Sequence, residues 1–200
     1  MKTRYISWDE ALGYKKDELE YAAGVLREGG LVAFPTETVY GLGGNGLMKE
    51  ASVKIYEAKG RPSDNPLILH ISSRQELEPI VRGITPEAEA LMEAFWPGPM
   101  TLIFQKAPEV PLETTGGLET VAVRMPSHAG ARELIRQAGV PVAAPSANTS
   151  GRPSPTRAEH VKEDLDGKID VIIDGGQVGI GIESTIIDLT EDVPVILRPG

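Results

Sequence analysis

Short apolar runs alternate with helix-like stretches along the whole chain, and this alternation limits the fold more than any other feature. The runs LVAFP, PLILHI and TVAVRMP predict buried strands, while residues 15–28 and 49–58 predict helices. Strands interleaved with helices are typical of α/β proteins. Several strands follow one another through short loops without a helix, so the sequence predicts a mixed sheet rather than a purely parallel one.

Helix starts are marked by short polar signals. Ser73-Arg-Gln-Glu76 and Thr156-Arg-Ala-Glu159 both match the capping box. Thr85 stands directly before Pro86, which suits the first position of a helix. We therefore expect a helix to begin at each of these places.

A glycine-rich segment, Gly41-Leu-Gly43-Gly-Asn-Gly46, matches the dinucleotide-binding pattern G-x-G-x-x-G. In that fold the first glycine lies in the turn directly after the strand, but here PTETVY separates Phe34 from Gly41. No acidic residue ends a second strand about 20 residues later. We interpret the segment as a flexible turn into a helix. The chain also lacks the P-loop pattern.

The composition excludes several functional classes. The 200 residues fit one domain, and the absence of cysteine excludes disulfides, thiolate zinc sites and a cysteine nucleophile. The N-terminal segment lacks the apolar core of a signal peptide, and no stretch approaches the roughly 20 apolar residues of a membrane span. We expect a cytoplasmic protein without membrane contact. The net charge of -9 disfavours tight nonspecific binding of nucleic acid but allows a local basic pocket.

The stretch KGRPSDNP places two cations close together in this acidic chain. Lys59 is a point charge, and Arg61 is a planar fork suited to binding phosphate through two hydrogen bonds. Pro62 restricts the backbone, and Asn65 follows. Taken alone, the stretch favours a solvated helix C-terminus, where cations suit the helix dipole, over an anion clamp.

Other polar clusters also stand next to predicted strand ends: PTETVYGL, APSANTSGRPSPT and GIGIESTIIDL. Each alone is compatible with a capped turn or an ordinary polar loop. Together the clusters supply cations, hydroxyls and amides but few carboxylates, which favours an anion pocket for a nucleotide. No G-x-S-x-G surrounds Ser146, which disfavours a serine hydrolase, and the three histidines share no metal-like spacing, so we expect no dedicated metal site.

A set of motifs in a fixed order resembles the threonylcarbamoyl-AMP synthase family, whose fold is the YrdC-like domain. The motifs run from about residue 30 to residue 200 and are PTETVYGL, KGRPSDNPLILHI, FWPGPMTLIF, VAVRMPSH, PSANTSGRPSPT, ESTIIDL and ILRPG. The family's Lys-x-Arg and Ser-x-Asn signatures stand here as Lys59, Arg61, Ser146 and Asn148. The resemblance implies a twisted, mixed parallel and antiparallel open sheet with flanking helices and a large concave nucleotide cleft.

The resemblance also implies a reaction. L-threonine reacts with bicarbonate, and the resulting carbamate attacks the α-phosphate of ATP to give threonylcarbamoyl-AMP and pyrophosphate. Mg2+ enters with ATP, and the product serves the t6A modification of tRNA through downstream transfer machinery, with weak or indirect contact to tRNA. Such a displacement depends on positioning and charge neutralisation, which explains why no catalytic dyad is visible.

Site residues follow from the same resemblance, position by position. The residues implied for the threonine pocket are Thr36, His70, Arg124, Ala144 and Ser184, with Arg124 pairing with the carboxylate. The residues implied for ATP binding are Lys59, Arg61, Asn65, Thr120, Ser146, Asn148, Ser154 and Arg198. Of these, Lys59, Arg61, Ser146 and Asn148 are implied to carry catalysis, with Lys59 neutralising phosphate charge and Asn148 supporting the Ser146 loop or contacting the nucleotide directly.

The chain departs from the family pattern at two points. Glu37 stands where members commonly carry Asp, a conservative change that we place outside the assigned contacts. We expect residues 1–200 to form a single YrdC-like catalytic domain, and the end at Gly200, directly after a strand, leaves room for a C-terminal extension or second domain of the kind that longer members have.

Two alternative functions stay open. A paralogue with the same fold would bind a nucleotide without making this product. An RNA-binding module would recognise RNA by shape, although the net charge of -9 and an aromatic content of 5% disfavour it as the main function.

Overall fold

Strands from both halves of the chain join in a single sheet in the computed structural model, which describes residues 1–8 and 15–200. The strands are β1 (Arg4–Ser7), β2 (Val32–Pro35), β3 (Tyr40–Asn45), β4 (Ile68–His70), β5 (Met100–Gln105), β6 (Thr120–Arg124), β7 (Val142–Ala143), β8 (Val171–Asp174), β9 (Thr185–Asp188) and β10 (Val195–Arg198). The helices are α1 (Lys16–Arg27), α2 (Lys49–Lys59), α3 (Pro86–Phe95), α4 (Ala129–Ala138) and α5 (Ala158–Leu165), with short 3₁₀ turns at Arg74–Glu76 and Glu78–Ile80.

The sheet is open and mixed. Its strand order is β1-β8-β2-β3-β7-β4-β6-β5-β9-β10. The pairs β1–β8, β8–β2, β4–β6 and β5–β9 are parallel, and the other neighbouring pairs of the described chain are antiparallel. This confirms the α/β class and the mixed sheet predicted from the sequence. The predicted helices at 15–28 and 49–58 are confirmed as α1 and α2.

The first half of the sheet is buried on both faces. Val32 and Phe34 of β2 pack into a cluster under α1 and α4, while Leu31 and Ala33 pack into a second, larger cluster on the opposite face. Successive side chains of a strand point to opposite faces, so an uninterrupted apolar run is what a strand between two layers of helices requires. The run LVAFP meets that requirement.

The glycine-rich segment forms a strand, and the predicted flexible turn is wrong. Residues Tyr40–Asn45 are all buried and pair in antiparallel fashion with β2. A Cβ on Gly43 would come within 2.7 Å of the Phe34 ring and 2.9 Å of Val142 Cγ1. The glycines therefore allow neighbouring strands and side chains to pack closely, a role that is set by tertiary contacts and is invisible to local pattern.

Two of the three predicted helix starts are confirmed. Glu76 Oε2 accepts the backbone N–H of Ser73 at 2.6 Å, as in a capping box, although the element it begins is only a 3₁₀ turn. Thr85 Oγ1 accepts from the N–H of Ala88 at 3.2 Å at the start of α3, and Pro86 is the first residue of that helix.

The capping box predicted at Thr156 is wrong. Helix α5 begins at Ala158, and Arg157 takes the N-cap position without a side-chain cap. The carbonyl of Thr156 accepts from the N–H of Val178 at 3.0 Å, and this contact holds Thr156 in the loop. The tertiary partner therefore moves the helix start beyond the residue that the local pattern favours.

Candidate active site

A cavity of about 300 Å³ lies on the second half of the sheet. Side chains on one face of this half belong to the large core cluster: Leu69, Val121, Val123, Leu102 and Ile187. The alternate side chains form the floor of the cavity: Ile68, Ala122, Ile103 and Ile186. The same period of two that builds the core thus leaves a floor of small and medium apolar groups facing outward.

Polar residues surround this floor. They come from the loop before β3, the segment after α2, the ends of β4 and β6, the segment after β7, and the last two strands: Thr38, Arg61, Asn65, His70, Arg124, Ser146, Glu183, Ser184 and Arg198. An apolar floor with a few convergent polar groups is the usual make-up of a small-molecule site. Three of these side chains are arginines, so the cavity carries local positive charge inside an acidic chain.

Arg124 is the most strongly held of these cations. It is 4% exposed, and its guanidinium contacts the Glu37 carboxylate. Its Nη1 donates to Thr38 Oγ1 at 3.0 Å, and its Nε donates to the carbonyl of Gly98 at 3.2 Å. Arg124 therefore has a fixed orientation at the end of β6, where its side chain lines the cavity.

Glu37 is shared between two partners. While one carboxylate oxygen meets Arg124, the other accepts from the backbone N–H and the hydroxyl of Ser127, each at 2.5 Å. The sequence placed Glu37 outside the assigned contacts, but the structure puts it directly against the arginine assigned to the threonine carboxylate. Its position between Thr36 and Thr38, at a strand end, is the signal that could have identified it.

Lys59 is not among the described residues that line this cavity. It is 2% exposed, and its Nζ donates to the carbonyls of Ser146 and Asn148, the latter at 2.6 Å, with a weak third contact to Asn148 Oδ1 at 3.5 Å. Burial lowers the pKa of Lys59 to about 8, and the charge of Arg61 acts in the same direction. The surrounding acceptors nevertheless suit an ammonium, which donates only.

Arg61 points in a different direction from Lys59. Gly60, between them, ends α2 in the left-handed conformation with φ 62°, so the chain turns sharply after Lys59. Arg61 lines the cavity, and its Nη2 donates to the carbonyl of Pro66 at 2.9 Å while its Nε donates to the carbonyl of Asn65 at 3.3 Å. The remaining N–H groups of its fork are available to a ligand.

The opposite side of the cavity is built by the last two strands. Arg198 Nε donates to the carbonyl of Ser184 at 3.0 Å, and the Ser184 hydroxyl lies 2.7 Å from Thr101 Oγ1. Glu183 accepts from the Ser154 hydroxyl, and this hydrogen bond lowers the pKa of Glu183. Glu183 therefore adds a charged acceptor to a wall that otherwise offers donors.

His70 is a neutral member of the wall. Burial lowers its pKa to about 3, and the nearby charge of Arg124 acts in the same direction. Its Nδ1 lies 3.0 Å from the carbonyl of Ile68. His70 is thus a fixed, uncharged polar group beside Arg124.

The structure brings most of the predicted site residues into one cavity. Those that line it are Arg61, Asn65, His70, Arg124, Ala144, Ser146, Ser184 and Arg198. Among the described residues, those that stand behind or beside the wall are Thr36, Lys59, Thr120, Asn148 and Ser154. The wall residues that the sequence assignment missed include Thr38, Glu183 and the apolar floor.

The residues behind the wall contact those in it or belong to the strands that carry them. Thr36 Oγ1 lies 3.0 Å from Thr38 Oγ1, and Ser154 donates to Glu183. The Asn148 side-chain amide donates to the carbonyls of Thr149 and Arg152, each at 2.9 Å, and so braces the loop after β7. Thr120 begins β6, the strand that ends in Arg124.

Metal-binding clusters and membrane-spanning helices are both absent from residues 1–8 and 15–200. No group of three or more His, Asp or Glu side chains is arranged to hold a metal ion there. None of the helices in residues 1–8 and 15–200 combines the length and apolar character that crossing a bilayer requires.

The chain belongs to a known protein family. The Sua5/YciO/YrdC family model, described as telomere recombination, matches residues 24–200. Threonylcarbamoyl-AMP synthase of Pyrococcus abyssi is 61% identical over 183 residues, which are 92% of this chain and 54% of that protein. The Bacillus subtilis protein of the same name is 53% identical over 203 residues, covering 100% of this chain and 59% of that protein.

A solved structure has the same fold. The crystal structure of Pyrococcus abyssi Sua5 complexed with L-threonine superposes with a TM-score of 0.96 at 57% identity, covering 99% of this chain and 58% of that chain. The chain therefore spans little more than half the length of these relatives.

Proposed function

Because the chain belongs to the Sua5/YciO/YrdC family, we propose that it forms threonylcarbamoyl-AMP and pyrophosphate from L-threonine, bicarbonate and ATP. One observation carries the proposal: a buried, oriented arginine and a set of hydroxyl and imidazole groups share a single cavity with two further arginines. That arrangement offers a carboxylate site and a phosphate site side by side. The similarity to proteins named for this reaction, one of them solved with L-threonine, supports the same assignment.

We place the threonine side of the cavity around Arg124. Its free N–H groups suit a carboxylate, because a guanidinium fork can donate two parallel hydrogen bonds. His70, Ala144 and Ser184 line the same cavity. Thr36 stands one layer behind, where it holds Thr38.

We place the ATP side around Arg61 and Arg198. Arg61, Asn65 and Ser146 form one wall, and Arg198 stands on the other. Ser154 and Thr120 lie outside this wall, and we assign them to the part of the nucleotide that extends beyond the cavity. An arginine on each side suits a triphosphate, whose charge neither cation alone would balance.

We propose a supporting role for Lys59. Its N–H groups already meet the carbonyls of Ser146 and Asn148, so a phosphate could bind Lys59 only if the loop gave up those contacts. Lys59 together with Asn148 would instead hold Ser146 at the cavity wall.

The chemistry that this cavity would perform is a displacement at phosphorus. The threonine amine adds to bicarbonate with loss of water, and a carbamate oxygen then attacks the α-phosphorus while pyrophosphate leaves. Mg2+ brought in with ATP would neutralise phosphate charge. Glu183 would offer its carboxylate oxygens to a hydrated Mg2+ bound to ATP, and the arginines would orient the reacting groups without forming a covalent intermediate.

The wider role follows from the product. Threonylcarbamoyl-AMP is the activated intermediate of t6A modification, so we propose a cytoplasmic enzyme that hands its product to a downstream transfer machinery, with weak or indirect contact to tRNA. We also propose that residues 1–200 form one catalytic domain, to which the longer relatives add further residues.

A pyrophosphate assay with each amino acid in turn tests the proposal. The protein is incubated with Mg-ATP, bicarbonate and one amino acid, and pyrophosphate release is followed. We expect release only when both L-threonine and bicarbonate are present. Release without threonine, or binding of ATP with no turnover under any combination, would contradict the proposal and favour a nucleotide-binding paralogue.

A further inference from the structure

Glu37 carries a half-buried carboxylate that neither the sequence motifs nor the proposed reaction assigns to a role. Its side chain is 15% exposed, and it stands in the loop between β2 and β3. The backbone of this loop is held in place: the carbonyls of Glu37 and Thr38 accept from the N–H groups of Ile180 at 3.0 Å and Gly181 at 2.8 Å. The carboxylate is therefore presented from a fixed segment.

Both oxygens of Glu37 are in use, and they join two separate elements. One meets Arg124 at the end of β6, and the other accepts two hydrogen bonds from Ser127, just before α4. Helix α4 is itself anchored in the core through Ala131, Leu134 and Ile135. Glu37 thus ties the arginine to an element that cannot shift without disturbing the core.

The contacts of Arg124 leave a defined set of donors free. A guanidinium has five N–H groups. Contacts with described residues engage one on Nε, one on Nη1 and one on Nη2, through Gly98, Thr38 and Glu37 respectively. Two N–H groups, one on each terminal nitrogen, stay available to a ligand in the cavity.

We propose that Glu37 is a positioning residue, which orients Arg124 so that its two free N–H groups face the carboxylate of the amino-acid substrate. The inference rests on the proposed function, because it names the part of that same site that Glu37 controls. Without the carboxylate, Arg124 would retain Thr38 and Gly98 as partners but would lose the charged contact that fixes its Nη2. A charge-assisted hydrogen bond is the strongest of the three.

The test compares Glu37→Gln with the wild type in Michaelis constants for L-threonine and for ATP. We expect the KM for threonine to rise about 10- to 100-fold, the range expected for loss of a charged hydrogen bond, with kcat and the KM for ATP changed less than about twofold. A merely structural role would raise both constants or lower activity in proportion to unfolding. Equal shifts in both constants would overturn the inference.

Glu76→Gln is a matched control. Glu76 also accepts backbone N–H groups with one carboxylate oxygen, from Ser72 and Ser73, each at 2.6 Å, but it lies outside the cavity wall. We expect both Michaelis constants of this variant to equal those of the wild type within about twofold. A threonine KM that rose as much as in Glu37→Gln would mean that loss of any half-buried, hydrogen-bonded carboxylate has this effect, and would overturn the inference.

A second pair of variants isolates the path through Arg124. If Glu37 acts only by orienting this arginine, Glu37→Gln should cost less than about twofold in a protein that already carries Arg124→Lys, because interacting sites are not additive. A full additional loss in the double variant would overturn the inference.

Glu37→Asp is the variant to use if Glu37→Gln does not fold, because it keeps the charge with a shorter side chain. We expect its KM for threonine to rise about three- to fivefold and its KM for ATP to stay unchanged.

Calorimetry of wild-type protein with L-threonine, without ATP or bicarbonate so that no reaction follows binding, separates the two levels of failure. No threonine binding by the wild type would overturn the proposed function and this inference with it. Binding that is equally tight in Glu37→Gln would overturn the role of Glu37 alone. Weaker binding in Glu37→Gln, with ATP affinity preserved, would support it.

Discussion

Two buried cations flank the cavity, and their charges are balanced in different ways. Arg124 is 4% exposed and is paired with a carboxylate, yet part of its fork still faces the cavity. Lys59 is 2% exposed and is surrounded by neutral carbonyls, with its N–H groups directed into the loop after β7. Similar burial therefore accompanies two different uses of a positive charge.

The difference shows which feature makes a buried cation available to a ligand. An arginine has five donors, so pairing with Glu37 fixes its direction and still leaves donors free. A lysine has three donors, and two of those of Lys59 make short hydrogen bonds to the carbonyls of Ser146 and Asn148. Arg124 is therefore suited to bind substrate, and Lys59 is suited to hold the loop that presents Ser146.

The largest expected effect concerns Arg124. We expect Arg124→Ala to lower kcat/KM for threonine about 10²- to 10³-fold and to reduce the free energy of unfolding by about 3 kcal/mol, because Glu37 then loses its buried counter-charge. Steady-state kinetics and urea unfolding measure the two losses. A variant with normal threonine kinetics would show that Arg124 is structural, as we propose for Lys59, and would break the comparison.

Substitution of Lys59 should mainly reduce the stability of the protein. We expect Lys59→Met to lower the free energy of unfolding by about 2 to 4 kcal/mol, since the carbonyls of Ser146 and Asn148 would lose a buried donor. Urea unfolding measures the change, and the shape of the methionine stem preserves most of the packing. A stable Lys59→Met protein that has lost only ATP binding would contradict the supporting role and favour direct phosphate contact.

Substitution of Arg61 should mainly weaken ATP binding, with little loss of stability. It lines the cavity and is only half-buried, so we expect Arg61→Met to raise the KM for ATP about 10- to 100-fold while the free energy of unfolding changes by less than about 1 kcal/mol. Measured beside Lys59→Met, this variant sharpens the contrast between the two cations of KGRPSDNP. Indistinguishable behaviour of the two variants would remove that contrast.

His70 offers the smallest expected effect, on the pH dependence of stability. Its pKa is lowered to about 3 by burial, below its value of about 6.5 in the unfolded chain. Between these values the unfolded state binds more protons, so His70 makes the free energy of unfolding fall as pH falls, by up to about 1.4 kcal/mol per pH unit. His70→Asn should remove this slope.

Urea unfolding of both proteins at about pH 7.5 and about pH 5 measures the His70 contribution, because the carboxylates common to both cancel. We expect the wild type to lose more stability than His70→Asn over this interval. Equal losses in the two proteins would mean that His70 titrates as it does in the unfolded chain, and would contradict its description as a buried, neutral side chain.

Sequence reasoning recovered the elements better than the contacts between them. Buried strands and helix caps such as Thr85 depend on residues that are neighbours in the sequence, so they could be predicted from it. Strand β3 was missed because its glycines matter only where Phe34 and Val142 approach them. Local pattern cannot show such an approach.

The candidate site follows the same division. The residues of the cavity wall could be named from motifs, but their partners could not. Glu37 reaches Arg124 and Ser127, which lie 87 and 90 residues further along the chain. Lys59 and Arg61 looked like a pair because they are close in sequence. In the structure, on either side of the left-handed Gly60, Lys59 contacts the carbonyls of Ser146 and Asn148, whereas Arg61 lines the cavity.

Detection of the product itself tests the central claim most directly. The protein is incubated with Mg-ATP, L-threonine and 13C-labelled bicarbonate. The nucleotide products are then separated and identified by mass spectrometry. We predict threonylcarbamoyl-AMP carrying a single 13C atom, formed in equal amount with pyrophosphate and absent when threonine is omitted. ATP consumed without any labelled adenylate, or a labelled product that does not require threonine, would contradict the claim.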